Sequence, residues 1–121
     1  MTTRVLVVDD EAGLATAICD GLRDAGFAAD WAADGEQALA QVARERYGLV
    51  VCDLRMPRVD GPALYRAIAA SSPTLARRVI FVTGDALDAD AELFLATCGC
   101  RWLSKPFRLG ELVRLARDVV G

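Results

Sequence analysis

A doubly wound α/β fold, with five parallel strands and helices on both faces, is the architecture that the sequence predicts. Three observations carry that reading. Short apolar runs, mostly rich in β-branched residues, alternate with segments of helical periodicity along the whole chain. Most of these runs are continuously apolar, as parallel strands covered on both sides must be. Polar residues follow directly after them, always at the same end. The length agrees, since 121 residues make one domain, 1–121, by the prior of roughly 100–200 residues each. At 54 % apolar residues, one core forms without disulfide or metal staples.

Val5-Leu6-Val7-Val8 reads as the first strand. Leu14, Ile18 and Leu22, four apart, mark the first helix, with Gly26 as its stop signal. Phe27 to Ala32 is a second, weaker strand. Asp34-Gly35 opens a helix carrying Ala38, Leu39 and Val42, which ends near Tyr47-Gly48. Leu49-Val50-Val51-Cys52 is the third strand, followed by a Pro- and Gly-marked loop from Met56 to Gly61 and a helix with Leu64, Tyr65 and Ile68. Val79-Ile80-Phe81-Val82 is the fourth strand, and Glu92-Leu93-Phe94-Leu95 lies on the fourth helix. Arg101-Trp102-Leu103 forms a short fifth strand, and Leu109 to Val120 the last helix. Right-handed crossovers turn this (βα)5 order into a parallel sheet with helices on both faces. The flavodoxin-like strand order 2-1-3-4-5 reverses between strands 1 and 3, and ligands bind beyond the strand ends at such a reversal.

The residues just past the strands therefore matter most. They are Asp9-Asp10 after strand 1, Asp53 after strand 3, Thr83 after strand 4 and Lys105 after strand 5. Strands 1 and 3 are neighbours, so three carboxylates converge. Left alone they repel one another and raise each other's pKa. An all-oxygen set open to water suits Mg2+ better than zinc. Any one of these aspartates, taken singly, also reads as a helix N-cap. Lys105 is the only lysine beside thirteen arginines, which argues against a routine solvated lysine.

Four segments in order, Val7-Val8-Asp9-Asp10-Glu11, Asp53-Leu54-Arg55-Met56-Pro57 with Asp60-Gly61, Val82-Thr83-Gly84 and Lys105-Pro106-Phe107, resemble the receiver domain of bacterial two-component response regulators over essentially the whole chain. The resemblance implies that Asp53 accepts a phosphoryl group from a partner's phosphohistidine. It implies that Asp9, Asp10, Asp53 and the backbone carbonyl of Arg55 hold Mg2+, with Asp9 acting through water. Lys105 and the Thr83 hydroxyl would contact phosphoryl oxygens, and Gly84 would leave room for them. Lys105-Pro106 resembles the family's cis peptide bond. Pro57 shapes the loop after Asp53, and Gly61 supplies a turn or a tight helix entry. The resemblance implies a histidine kinase or a histidine phosphotransfer protein as donor. Output would appear at the face made by the fourth helix, the fifth strand and the last helix. The segment from Val82 to Leu95 also resembles receivers fused to hybrid histidine kinases.

Trp102 stands where the family usually has Tyr or Phe as a switch residue. Its bulk predicts a smaller or different rotation, and a static interface or core aromatic is the competing role. Trp31 counts only as background fluorescence. Arg55 and Asp85 are expected to rim the pocket mouth as an ion pair that slows hydrolytic water. Ala15, Ile18, Cys19 and Leu22 on the first helix are expected to offer apolar contact to a partner, while also serving the core.

Composition removes other classes. The formal charge is −3 and the pI about 4.9, against direct nucleic-acid binding. Histidine is absent, which excludes histidine zinc sites and Ser-His-Asp catalysis and places the donor histidine on another protein. Neither G-x-x-x-x-G-K-[ST] nor G-x-G-x-x-G occurs. An aspartyl-nucleophile phosphohydrolase would carry Asp-x-Asp after the first strand, and a receiver-like interaction module would lack part of the acceptor set. No run suits a membrane span or a signal peptide. Four cysteines without C-x-x-C spacing (Cys19, Cys52, Cys98, Cys100) read as reduced thiols in a cytoplasmic protein, Cys52 as buried and inert. The sequence ends after the last helix, so the expectation is a stand-alone regulator or a receiver from a longer protein, of unknown effector. Homodimerisation through the last two helices stays open.

Overall fold

The computed structural model describes residues 2–84 and 87–121. Five parallel strands, β1 (Arg4–Val8), β2 (Ala28–Ala32), β3 (Leu49–Asp53), β4 (Val79–Thr83) and β5 (Arg101–Ser104), form one sheet in the order β2-β1-β3-β4-β5. The connections are α1 (Ala12–Asp24), α2 (Gly35–Arg44), α3 (Gly61–Ser71), a one-turn α4 (Pro73–Ala76), α5 (Ala89–Cys98) and α6 (Leu109–Val120). The predicted order is therefore observed, with one added helix. Pro73–Ala76 is too short to show a periodicity; its signal is Pro73 at the first helical position. The fourth and last helices of the sequence reading are α5 and α6.

The strands β1, β3 and β4 are buried almost throughout, which is why they read as unbroken apolar runs. Alternation divides their side chains between two layers. Leu6, Val8, Val50, Cys52 and Phe81 meet α2, α3, α4 and α5. Val5, Val7, Val51, Ile80 and Val82 meet α1 and α6. Phe81 lies 5.3 Å, centroid to centroid, from Phe94 of α5 in an edge arrangement, and Tyr65 of α3 joins both rings, so aromatic packing ties α3 and α5 to β4.

The helix starts follow capping chemistry. Asp34, Asp60 and Asp88 each accept a backbone N–H three residues on, from Gln37, Ala63 and Ala91. At the other end, Gly99 holds a left-handed backbone (φ 74°) where α5 stops. One expectation fails on α1. Ala15, Ile18, Cys19 and Leu22 are almost wholly buried in the layer between the sheet and α1 and α6, because their spacing is the core stripe itself; they offer no apolar contact to a partner.

Candidate phosphoacceptor and metal site

The strands β1, β3 and β5 each add one more ladder bond beyond their ends, and those bonds hold the site residues. The Asp9 N–H donates to the Ala32 carbonyl (3.1 Å), the Leu54 N–H to Val82 (2.9 Å) and the Lys105 N–H to Thr83 (2.7 Å). The side chains of Asp9, Asp53, Thr83 and Lys105 are thus carried on backbone continuous with the sheet.

Asp9, Asp10 and Asp53 converge as the topology requires: one carboxylate oxygen from each lies within 4.8 Å of the others. Asp9 is 2 % and Asp53 8 % exposed, whereas Asp10 is open to solvent. Asp9 and Asp53 share a local geometry. Asp9 Oδ1 accepts the Glu11 N–H (2.8 Å) and Asp53 Oδ1 the Arg55 N–H (3.2 Å), each a turn closed on the residue two ahead. Both carboxylates are thereby aimed by their own backbone, which answers the N-cap reading: none of the helices among the described residues is capped by Asp53, and Asp9 lies two residues before the α1 cap, Glu11.

Lys105 completes the cluster. Its Nζ lies 3.2 Å from Asp53 Oδ2 and 3.7 Å from Asp9 Oδ2. Burial by itself would lower the ammonium pKa; the charge and hydrogen bond of Asp53, with Asp9 behind, reverse this and hold it above the ordinary lysine value. Asp9 is pushed up from the usual carboxylate range by burial first, and by the Asp53 and Asp10 charges, against the Glu11 N–H and Lys105. Its position is that of a carboxylate short of positive charge. The donor set, three carboxylates with one ammonium, fits a hard divalent cation coordinated through oxygen.

The remaining residues of the sequence reading fall around this cluster. Thr83 is 1 % exposed, and its Oγ1 has no hydrogen-bond partner among the described residues. Among the described residues, a Cβ built at Gly84 meets nothing within 4 Å. Gly61, by contrast, is required by close approach, since a Cβ would sit 2.9 Å from the Leu54 Cα and carbonyl oxygen and 3.0 Å from the Asp53 carbonyl. It is the first residue of α3 rather than a left-handed turn. Pro57 is exposed in the loop behind Asp53, after the buried Met56. The Lys105–Pro106 bond is cis. Trp102 is 41 % exposed on β5, opposite Phe81, and so stands outside the core.

Asp85, the expected partner of Arg55, lies outside the described residues. The Arg55 guanidinium pairs with Asp88, the residue that caps α5. The contact joins the loop after Asp53 to the start of α5, and beside it runs a groove of about 550 Å³ lined by Leu54, Arg55, Arg66, Asp88 and Phe94. The thiols are free. Burial drives the Cys52 thiol well up, so it is unreactive despite its neighbour.

Sequence reasoning missed two contacts of this region. Besides Asp88, the indole N–H of Trp31 donates to the backbone carbonyl of Asp9 at 2.8 Å. A charged residue at the α5 cap carries a readable signal, because Asp88 opens the helix; a tryptophan on an edge strand carries none.

Comparison with known proteins agrees with the geometry. The response regulator receiver domain family matches residues 5–117. The chain is 35 % identical over 113 residues to the C4-dicarboxylate transport transcriptional regulatory protein DctD of Rhizobium meliloti, covering 93 % of this chain and 24 % of that protein. It is 35 % identical over 117 residues to the DNA-binding response regulator MtrA of Mycobacterium tuberculosis, covering 97 % and 50 %. It therefore spans about a quarter to a half of the length of these curated relatives. Among solved structures, a response regulator receiver protein from Pseudomonas putida superposes with a TM-score of 0.87 at 34 % identity, over 98 % of both chains. The chemotaxis protein CheY4 of Vibrio cholerae gives 0.86 at 26 %, over 98 % of this chain and 99 % of that one. No helix among the described residues is long and apolar enough to cross a membrane. The sheet order, the carboxylate cluster at its reversal and these matches together place the chain in the family of response regulator receiver domains of two-component systems.

Proposed function

We propose that residues 1–121 act as a Mg2+-dependent phosphoacceptor domain in a cytoplasmic phosphorelay. The convergence of Asp9, Asp10 and Asp53 within 4.8 Å, with Lys105 Nζ 3.2 Å from Asp53, is the observation that carries this reading. A carboxylate oxygen of Asp53 attacks the phosphorus of a phosphohistidine on a histidine kinase or histidine phosphotransfer protein. The P–O bond forms as the P–N bond breaks, and the imidazole leaves with its electron pair, so Asp53 becomes an acyl phosphate.

Phosphoryl transfer demands positioning and charge stabilisation more than covalent help. Asp9, Asp10, Asp53 and the Arg55 backbone carbonyl would hold Mg2+, which supplies the positive charge that three carboxylates and an incoming phosphoryl group lack. Lys105, already at Asp53, pairs with a second phosphoryl oxygen. The Thr83 hydroxyl, buried and unpartnered among the described residues, takes a third, and Gly84 leaves the space for it. The chain is not a conventional enzyme in this scheme: it promotes only its own phosphorylation and dephosphorylation. The signal passes from Thr83 and Trp102 to the face of α5, β5 and α6.

Incubation with a small phosphodonor and Mg2+, followed by intact mass measurement, tests the proposal. One added phosphoryl group is expected, removed by hydroxylamine and absent in Asp53→Ala. No adduct on the wild-type chain, or an adduct that survives Asp53→Ala, would overturn it and leave a receiver-like interaction module.

A further inference from the structure

Trp31 lies on β2, the edge strand, in register with Val7 of β1. Its indole nevertheless reaches two residues further along β1 and donates to the Asp9 carbonyl at 2.8 Å. The ladder between the two strands ends one bond earlier, where the Asp9 N–H meets the Ala32 carbonyl. The side chain thus supplies a partner that the backbone of β2 no longer provides.

The carbonyl it holds belongs to the peptide joining Asp9 to Asp10. Of the three clustered carboxylates, Asp9 is aimed by the Glu11 N–H and Lys105, and Asp53 by the Arg55 N–H and Lys105. Asp10 is exposed and joins no ion pair among the described residues. Its direction depends on the peptide before it. The tryptophan is itself anchored from behind, since its own carbonyl accepts from the Gln41 side chain of α2 (3.2 Å). At 40 % exposure, the indole is too open to be explained by core packing alone.

We infer that Trp31 is a positioning residue for the carboxylate cluster: its indole N–H fixes the Asp9–Asp10 peptide and so sets cation affinity through Asp10. This rests on the reading of Asp9, Asp10 and Asp53 as the cation site. A preorganised ligand set binds more tightly because less is ordered on binding. Losing one such hydrogen bond weakens binding about 3- to 10-fold.

Calorimetric titration of Mg2+ into wild type and Trp31→Phe, which keeps a ring and removes the donor, tests the inference. The variant should bind Mg2+ about 3- to 10-fold more weakly. It should need correspondingly more Mg2+ for half-maximal phosphorylation by a small phosphodonor, with the rate at saturating Mg2+ preserved. Equal affinity, or a parallel fall in affinity and saturated rate, would overturn the positioning role. Trp102→Phe supplies a measurement that does not depend on Trp31→Phe folding. It leaves one of the chain's two tryptophans, and emission from Trp31 should change along the calorimetric isotherm. Constant emission through saturation would count against the inference. A wild-type chain that binds no Mg2+ at millimolar concentration would instead defeat the reading of the cation site on which it rests.

Discussion

The two halves of the site are built to different standards. At the ends of β1 and β3, each buried carboxylate has its partners: Asp9 takes the Glu11 N–H, Asp53 takes the Arg55 N–H, Lys105 spans both, and Trp31 holds the Asp9 carbonyl. At the end of β4 and along β5 the arrangement is unfinished. Among the described residues the Thr83 hydroxyl is buried with no partner, no atom fills the space beside Gly84, and Trp102 stands half in solvent. A buried hydroxyl left unpaired costs about 1–3 kcal/mol. On the proposed function, the resting chain keeps its receiving half ready and leaves its display half waiting for an oxygen that only a phosphoryl group on Asp53 would bring.

The contrast can be broken at either half. The largest effect is expected behind the acceptor, where Gly61 lies against the Leu54 and Asp53 backbone. Gly61→Ala forces backbone apart and should cost about 1–3 kcal/mol in urea denaturation. A loss within experimental error would mean that the receiving half is as yielding as the other. Lys105→Met, in Mg2+-free buffer, strips the cluster of its cation and should cost about 1–2 kcal/mol, less than a fully buried pair because the lysine is partly exposed. Mg2+ should stabilise this variant by a larger increment than wild type. The sign in wild type follows from linkage: the Lys105 pKa is raised on folding. Its contribution is therefore complete below the unfolded lysine value and is lost only as pH climbs through the higher folded one.

A smaller change, of opposite sign, belongs to the display half. Thr83→Val removes an unpaired hydroxyl at constant shape and should raise stability by about 1 kcal/mol. A loss would mean that the hydroxyl is already satisfied in the resting chain. The smallest effect concerns the link between the loop after Asp53 and α5. The Arg55 hydrogen bond, then the Ala91 N–H, hold Asp88 below the usual carboxylate range. Its contribution is present above the unfolded Asp value and disappears as pH falls through the lower folded one. Acid-unfolding curves of wild type and Asp88→Asn should therefore separate slightly above that window and merge below it, with no separation if the ion pair is absent in solution.

Much of this was legible because burial writes itself into sequence. Strands covered on both faces give unbroken apolar runs, so β1, β3 and β4 stand out, and the first polar residue after each run marks where the strand leaves the core. That logic found Asp9, Asp53 and Thr83; Lys105, past the short β5, came with the same edge. The misses have physical causes too. A single turn such as Pro73–Ala76 is shorter than the window in which periodicity can be seen. Ala15, Ile18, Cys19 and Leu22 have the spacing of an apolar face, and spacing does not say whether that face meets the sheet or a partner. Arg55 was matched to Asp85 because each lies two residues past a strand-end site residue; Asp85 lies outside the described residues, and the contact seen is with Asp88, where α5 begins. The Trp31 bond depends on how far a long side chain runs along a neighbouring strand, which no pattern in one sequence records.

The separation of receiving from display is tested most directly with Thr83→Ala. Wild type and variant would be treated with a small phosphodonor and Mg2+, phosphoryl content read by intact mass, and backbone amide shifts followed across Arg101–Ser104 of β5. Both chains should gain one phosphoryl group on Asp53, and only the wild type should show the β5 shifts. A Thr83→Ala chain that accepts no phosphoryl group, or one whose β5 amides shift as in wild type, would contradict the account.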